Sequence, residues 1–469
     1  MTFELRAVLR SRASAVALLA YLAIGVLAIG LGARHVAEWS TALETARQVE
    51  AETIAEASGY FASGVSGPED QPWVDLAQPM WQDRFAGTRV VREPGALAGV
   101  AAGSVDAAPV AFHVHRRADP LAVGGARIEN PEISGGTVDL AFVLAMLTPL
   151  LVGVLGLGIG GREREERIDR LVTVHAGGVR GWLVARMVAV AVIASAAATV
   201  LCLAAGAVGG ASSADVGVLV ALSVVYTALW SGWVLATTGR AATVRGGAFA
   251  FGALWTVVCL LIPAVVAEVG LGTVQADYAV ADTLDARALQ YGAYEEDLAD
   301  LTERLYARYP ELRDLPAASG DELPGPVRRH AYDGVLVGAL RDRHEDRLAH
   351  EAAARGLAEL ASGVSPPIAL TLALERIAGV GPEAAAAYRS HLVAAVEARV
   401  YWLVVHAWRM EPLVQADFDA VVAGAPAAFR WQPTGLLGPG GLLVLWTVVG
   451  WVLAFVGLGR RGDGVGPRR

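Results

Sequence analysis

The chain has 469 residues, of which 54% are hydrophobic, and its mean hydropathy is +0.45. This composition excludes an ordinary soluble globular protein and is typical of a chain that uses lipid as part of its solvent. The formal net charge of -9 becomes informative only when the charges are sorted by side of the membrane. The sequence contains no lysine, which excludes a P-loop and Schiff-base catalysis on this chain.

The first apolar run extends from Ala13 to Leu31 and follows a basic start. It has the pattern of a secretory signal or of an uncleaved first span, and its length and poor Ala-x-Ala punctuation favour the uncleaved span. Residues 1–33 are therefore interpreted as a cytoplasmic N-terminus and first transmembrane helix. Residues 34–137 form a first polar segment, predicted as a helical stalk to about Tyr60 and then a mixed region. Alternation at Val110 to His115 predicts one or two strands in that region.

Five further apolar runs approach or exceed the ~20 residues that a spanning helix needs. They cover about 138–160, 187–208, 216–238, 247–267 and 436–458. Pro149 lies inside the second run, where a membrane helix tolerates proline if neighbours bond the freed carbonyl. The sequence thus predicts an all-α polytopic membrane protein with six transmembrane helices and two extracytoplasmic insertions.

The arginines sort by the positive-inside rule. Basic residues flank the spans at the N-terminus, in the loop after the second span, in the Arg240 and Arg245 loop, and in the C-terminal tail. All of these fall on one side in a six-span chain, whereas the opposite loop at 209–215 has no arginine. We expect both termini in the cytoplasm. Residues 138–267 then hold the second to fifth spans, and residues 434–469 hold the sixth span and a basic cytoplasmic tail.

Residues 268–433 form the larger insertion, predicted to be helical and extracytoplasmic. The predicted helices are Ala276 to Tyr309, Pro326 to Leu360, Pro367 to Ile377, and Pro382 to Met410. Acidic residues outnumber arginines in this segment. It therefore has no basic footprint for nucleic acid or for anionic headgroups, and nucleic acid is not expected as a partner.

The residue pattern gives little support for a catalytic site or a metal site. His344 and His350 lie six residues apart, whereas a zinc-protease helix needs histidines four apart. His113 and His115 share a metal or face solvent, and solvent is favoured because no third ligand is evident. A membrane enzyme with its site in the larger insertion remains an alternative, but no nucleophile or acid–base pair supports it. The spans hold almost no ionisable residue, which argues against an ion-coupled carrier.

A charged elbow at 161–186 joins the second and third spans. A glycine-rich apolar run leads into alternating charges from Arg162 to Arg170. Such a pattern predicts a polar helix at the membrane surface that faces a partner through complementary charge. The alternative is a solvated positive-inside loop that binds nothing. The residues of the proposed contact are Arg162, Glu163, Arg164, Glu165, Glu166, Arg167, Arg170 and Arg186.

The elbow resembles that of the ABC-2 type permeases, the membrane subunits of one class of ATP-driven transporters. The Glu163-Arg164-Glu165 stretch and the approach through Leu171 to a basic residue at Arg186 carry the resemblance. In that family a Gly-Thr-Leu follows the Glu-Arg-Glu, and Gly-Lys opens the third span. Here Arg167-Ile168-Asp169 replaces the first motif, and Ala185-Arg186 stands for the second.

Ser365-Pro366-Pro367 is the family outer-domain motif, and it opens a helix before the last span. This motif resembles the one found in a DUF3526-like branch of the family, whose members have a large extracytoplasmic domain of unknown function. The resemblance implies a multi-pass subunit of a bacterial cytoplasmic (inner) membrane, paired with a second, identical or different permease subunit. It implies that a cytoplasmic ABC ATPase binds ATP and Mg and seats the elbow as a coupling helix. This chain itself then holds no cofactor. The expected activity is export or extrusion of an unknown substrate; the alternative is ATPase-driven signalling to an envelope partner without solute transport.

Overall fold

A computed structural model of the chain is helical throughout most of its length. It describes residues 11–85, 88–104, 110–116, 118, 138–168, 179–273, 284–285, 287–289, 291–292, 295–319, 323–424, 428–432 and 437–462. Six of the described helices are long and apolar enough to cross a membrane. The predicted class of an all-α multi-pass membrane protein is therefore supported at that level.

The first span is part of one continuous helix, α1 (Arg12–Ser63). The Ser11 hydroxyl caps its start, and Gly64 ends it in the left-handed conformation. Its 52 residues measure roughly 78 Å at ~1.5 Å per residue, more than twice the thickness of a bilayer core. The predicted stalk is thus an extension of the span itself. Tyr21 in its first half bonds Thr148 of the second span at 2.9 Å, so α1 is packed into the bundle.

The other five spans are also helical. The second consists of α3 (Leu140–Phe142), a π-helical turn (Val143–Leu147) and α4 (Thr148–Gly156), followed by the elbow helix α5 (Gly161–Glu165). The third and fourth are α6 (Val179–Gly209) and α7 (Ser213–Thr238). The fifth consists of α8 (Val244–Trp255), a second π-helical turn (Thr256–Leu261) and α9 (Ile262–Thr273). The sixth is α15 (Leu437–Gly462).

The fourth span lies at the centre of the bundle, where it packs against the second, third, fifth and sixth spans. Trp451 of the sixth span donates its indole N–H to the Ala228 carbonyl at 3.0 Å. Asp139 caps the start of the second span, and Ser212 caps the start of the fourth. Asp139 therefore serves a helix end, as expected for a carboxylate at the edge of a span.

In the part of the first polar segment that the structure describes after α1, the regular elements are short. It has α2 (Pro79–Phe85), a two-stranded antiparallel sheet of β1 (Thr88–Val91) and β2 (Ala111–Val114), and a 3-10 helix (Ala98–Ser104) between the strands. Val90 pairs with Phe112 in the sheet register. The alternation in the sequence predicted β2; its partner β1 was not singled out.

The second polar segment is a helical layer with its own core. It comprises α10 (Leu298–Arg308), α11 (Gly325–Ser362), α12 (Pro366–Ala378), α13 (Pro382–Arg409) and α14 (Gln415–Ala423). Three of the four predicted helices agree closely with α11, α12 and α13. The fourth, predicted from Ala276 to Tyr309, is helical at 284–285, 287–289 and 291–292 and again over Leu298–Arg308, and residues 274–283 lie outside the described residues. Leu305, Tyr388 and Trp408 belong to the core that α10, α11 and α13 share.

Candidate functional site

The elbow begins with two glycines that allow backbone to lie against backbone. Gly160 has a φ of 91°, and a Cβ there would lie 2.8 Å from the Gly239 Cα. A Cβ on Gly161 would lie 2.7 Å from the Val244 nitrogen. Any larger residue at either position would therefore push the elbow away from the loop between the fourth and fifth spans.

Glu163 is the buried centre of the elbow, with only 4% of the residue exposed. Its carboxylate accepts a hydrogen bond from the Gly160 amide and another from the guanidinium of Arg186, which begins the apolar part of the third span. The Arg186 guanidinium also lies 4.9 Å from the Trp182 ring centre. These charge-assisted bonds fix the end of the second span to the start of the third.

Arg164, which is half-buried, and Glu165, which is exposed, both bond the neighbouring loop. The Arg164 guanidinium donates to the carbonyls of Gly239 and Ala241. The Glu165 carboxylate accepts from the Val244 amide at 3.0 Å, where the fifth span begins. All three residues of the Glu-Arg-Glu motif are thus engaged within the chain.

The exposed surface of the elbow is smaller than the predicted set. Arg162 and Glu166 form an ion pair at 2.8 Å with side chains 67% and 46% exposed, and Arg167 is also exposed. We call these three residues the elbow rim. Glu163 and Arg186 form an internal ion pair, and Arg170 lies outside the described residues. The predicted contact set therefore includes an internal ion pair, Glu163 with Arg186, as well as an outward rim.

The second span departs from regular α-helix before Pro149. The Thr148 amide bonds the Val143 carbonyl, five residues earlier, and Pro149 has no amide hydrogen to offer Ala145. The Tyr226 hydroxyl of the fourth span donates to the Ala145 carbonyl at 2.6 Å. A neighbouring helix thus bonds a carbonyl that the proline frees, as the sequence predicted.

The fifth span repeats this construction before Pro263. The Ile262 amide bonds the Val257 carbonyl, five residues earlier, and the next residue is proline. Val258 is therefore deprived of both the i+4 and the i+5 amide. Its carbonyl accepts a hydrogen bond from the Ser365 hydroxyl at 3.1 Å. The serine of the Ser-Pro-Pro motif thus compensates a break in a membrane span.

The helix that Ser365 opens is inserted into the span bundle. Trp446 of the sixth span donates to the Gly363 carbonyl at 2.9 Å, and both Trp446 and Val258 lie near the middle of their spans. We call the last turns of α11, the 363–365 loop and α12 the insertion hairpin. Four of its fully buried residues share one hydrophobic core with the spans: Ala369, Leu370, Leu374 and Ala378.

Sequence reasoning predicted α12 but placed it in the outer segment. The signal for its insertion is a run of uncharged residues from Leu360 to Leu374. Such a run is too short to span a bilayer and has the length of a re-entrant or buried helix. Pro366 and Pro367 occupy the first helical positions, where a missing amide hydrogen costs nothing.

The far end of α12 is tied to the polar segments. Arg376 pairs with Glu359 at 2.8 Å and with Glu383 at 2.5 Å. The Gly379 carbonyl accepts from Arg92 at 3.1 Å. The Arg92 guanidinium lies 5.4 Å from the ring centre of Trp39 in the stalk. The hairpin is therefore joined to the spans at one end and to both polar segments at the other.

A buried charged cluster lies within the helical layer. Arg116 pairs with Asp333 at 2.7 Å, and the Nδ1 atom of His330 lies 3.8 Å from the same carboxylate. Burial, together with the nearby charges of Arg116 and Arg329, lowers the pKa of His330 to about 3. His330 is therefore neutral at physiological pH.

The histidines considered as ligands are engaged separately. His344 lies 3.2 Å from the Ser390 hydroxyl, and His350 lies 2.9 Å from the Asp346 carbonyl. Across the described ranges no three His, Cys, Asp or Glu side chains converge as a metal would require.

Comparison with known proteins identifies one region. A family described as a domain of unknown function, DUF3526, matches residues 279–423. The match covers α10 to α14 and therefore includes the whole insertion hairpin from the 363–365 loop through α12. No curated protein and no solved structure matches the chain.

Proposed function

We propose that the chain is the membrane-spanning permease subunit of an ATP-driven transporter of the ABC-2 type. In this role it couples ATP hydrolysis by a separate ATPase to export or extrusion of a substrate. The observation that supports this most directly is the construction of the elbow. Glu163, Arg164 and Glu165 bond the ends of neighbouring spans, while the elbow rim is presented outward.

A braced elbow with a charged rim suits the transfer of force. A partner that binds Arg162, Glu166 and Arg167 pushes on a helix whose backbone already contacts the fourth-to-fifth span loop. Because Glu163 fixes the elbow to Arg186, displacement of the rim moves the second, third and fifth spans together. Complementary charge at the rim would set which ATPase binds and in which register.

The proposed orientation places the elbow in the cytoplasm of a bacterium and both polar segments outside its inner membrane. Elbow contacts with Gly239, Ala241 and Val244 gather two basic loops at one end of the bundle, in keeping with the positive-inside rule. Cysteine substitutions test this orientation with a membrane-impermeant maleimide applied to intact cells. Asp300→Cys should label and Arg167→Cys should not; the reverse pattern would overturn the orientation.

A second candidate function is transmission of movement to the envelope without solute transport. The insertion hairpin favours it, because α12 shares the core of the spans and is also tied to both polar segments. ATPase-driven movement of the spans would then displace the matched domain relative to an envelope partner.

Reconstitution of the chain with a candidate partner ABC ATPase tests the proposal. Proteoliposomes that contain both proteins should hydrolyse ATP faster than the ATPase alone and should extrude substrate from a panel of apolar solutes. A catalytically inactive ATPase is the matched control. Stimulated hydrolysis with changed labelling at Asp300→Cys but without flux favours the second candidate. Absence of any stimulation would contradict both.

A further inference from the structure

We propose that Ser365 and Tyr226 are positioning residues of a paired hinge, formed by the two π-helical turns of the second and fifth spans. Each residue bonds a carbonyl in one turn, and together they hold the two turns in one arrangement. The hinge follows from the contacts alone. Its use to carry movement from the elbow to the insertion hairpin rests on the proposed function.

The two turns have the same construction. Each contains an amide bonded five residues back, and each is followed by a proline at the second residue after its end, Pro149 in one span and Pro263 in the other. A π-turn and a proline both weaken the hydrogen-bond ladder at one level of a helix. Bending is therefore easiest at these two places.

The second and fifth spans touch at three levels between the elbow and the turns. Glu165 bonds the Val244 amide at the elbow end. Further along, a Cβ on Gly153 would lie 2.2 Å from the Phe251 ring, so the absence of a side chain allows close contact. The Trp255 indole donates to the Met146 carbonyl at 3.4 Å, which joins the first turn to the residue immediately before the second. The spans thus form a continuous pair from elbow to hinge.

Side chains from outside the pair fix each turn. Tyr226 extends from the fourth span to Ala145, and Ser365 extends from the insertion hairpin to Val258. The hairpin helix α12 lies against both turns. A carbonyl bonded by a hydroxyl rather than by its own helix can exchange its partner without breaking a helical ladder. Loss of either hydroxyl therefore frees the hinge while the helices on both sides keep their own bonds.

The chain contains a native reporter for this hinge. Cys259 lies within the fifth-span turn and is 1% exposed, whereas Cys202 is fully buried in the third span and bonds Ser223 at 3.2 Å. Both thiols are free. The rate at which N-ethylmaleimide labels each cysteine in purified membranes, followed by mass spectrometry without any ATPase, reports local opening at each site.

Ser365→Ala should raise the Cys259 labelling rate by roughly fivefold, the factor that corresponds to one lost hydrogen bond of ~1 kcal/mol, and leave Cys202 unchanged. Ser365→Thr keeps the hydroxyl and should label like the wild type. Tyr226→Phe should also raise Cys259 labelling. Because the turns are joined, the double variant should exceed either single variant by less than the product of the two factors.

Ser231→Ala is the matched control, since Ser231 is a fully buried serine of the fourth span that bonds only within the described part of its own helix, to Thr227. It should leave Cys259 labelling unchanged. The hinge is overturned if Ser365→Ala labels as slowly as the wild type, or if both cysteines accelerate equally. Multiplicative effects in the double variant would show two independent turns and would also overturn the pairing.

A second arm separates the hinge from the proposed function. Addition of the ATPase and ATP to wild-type membranes should change Cys259 labelling by at least about threefold and leave Cys202 unchanged, if the elbow drives the hinge. An unchanged rate, together with the expected variant effects, would reject the link to the elbow. The hinge itself would stand on the variants alone.

Discussion

The elbow and the insertion hairpin both contact the second and fifth spans, but through different kinds of interaction. The elbow uses charge on a five-residue helix: Glu163, Arg164 and Glu165 each bond a backbone group or a counter-ion of a neighbouring segment. The hairpin uses apolar burial along α12 and adds few polar bonds, chiefly through Ser365 and Gly363.

This difference separates what each region can do. Bonds between charged groups and backbone are directional, so they transmit displacement and fix register. Apolar burial is non-directional, so a helix held by it can slide or tilt while it keeps most of its contact area. The elbow therefore suits the input of force, and the hairpin suits a part that moves in response.

The largest loss of stability is expected from substitution of Glu163 in the elbow. Glu163→Ala leaves the Arg186 guanidinium partly buried without its counter-ion and should lower the free energy of unfolding by about 3–5 kcal/mol. Denaturant unfolding in detergent measures this value. Glu166→Ala removes an exposed charge from the same elbow and should cost less than about 1 kcal/mol. Equal effects of the two substitutions would show that the elbow is not braced from within.

Apolar burial in the hairpin should give the next effect. Leu374 is fully buried against the spans, and Leu374→Ala should cost about 2–4 kcal/mol through lost contacts and a residual cavity. Leu360, 77% exposed at the end of α11, is the matched control and should change stability by less than about 1 kcal/mol. The same assay compares both variants. A Leu374→Ala protein as stable as Leu360→Ala would mean that α12 is not inserted.

The helical layer beyond the hairpin should respond to acid. The pKa of His330 is lowered from its ordinary value of 6.5 to about 3 in the folded chain. Between pH 6.5 and pH 3 the unfolded chain therefore binds a proton at this histidine that the folded chain does not bind. The contribution of neutral His330 to the free energy of unfolding is fully present above pH 6.5. It is lost as the pH falls towards 3, and the loss is about 2 kcal/mol at pH 5.

Thermal unfolding of the wild type and His330→Gln at pH 7 and pH 5 measures this dependence. The variant should lose most of the acid-induced decrease in Tm that His330 causes. The exposed His350, changed to Gln, is the control and should retain the wild-type decrease. If His330→Gln retains it as well, another group is responsible.

The spans could be predicted from the sequence because twenty apolar residues in a row have few alternatives. The elbow was found for a similar reason: alternating charge beside a span is conspicuous. The division of that charge was not predictable. Glu163 and Glu166 are equivalent in the sequence, and only the approach of Arg186 from another span makes one internal and the other exposed.

The packing of α12 among the spans was not predicted, because the apolar pattern of its sequence is the same as that of a helix buried in a soluble domain. Ser365 gains its role from Val258, more than a hundred residues earlier, whose carbonyl is freed by a π-turn and by Pro263. Each local feature is visible in the sequence: Pro149, Pro263 and the Ser-Pro-Pro motif. Their meeting depends on tertiary packing, which periodicity does not encode.

A charge swap at the elbow rim should change stability least, and it tests the account most directly. Arg162→Glu with Glu166→Arg retains an i,i+4 ion pair but inverts its order, as does Arg34→Glu with Glu38→Arg in the stalk, an exposed pair at 2.7 Å. Both swaps should change stability by less than about 0.5 kcal/mol. Binding of the partner ATPase to the chain in nanodiscs is the measurement. The account predicts at least about a tenfold weaker Kd for the elbow swap and an unchanged Kd for the stalk swap. Equal affinity of both variants and the wild type would contradict the claim that the elbow rim receives the ATPase.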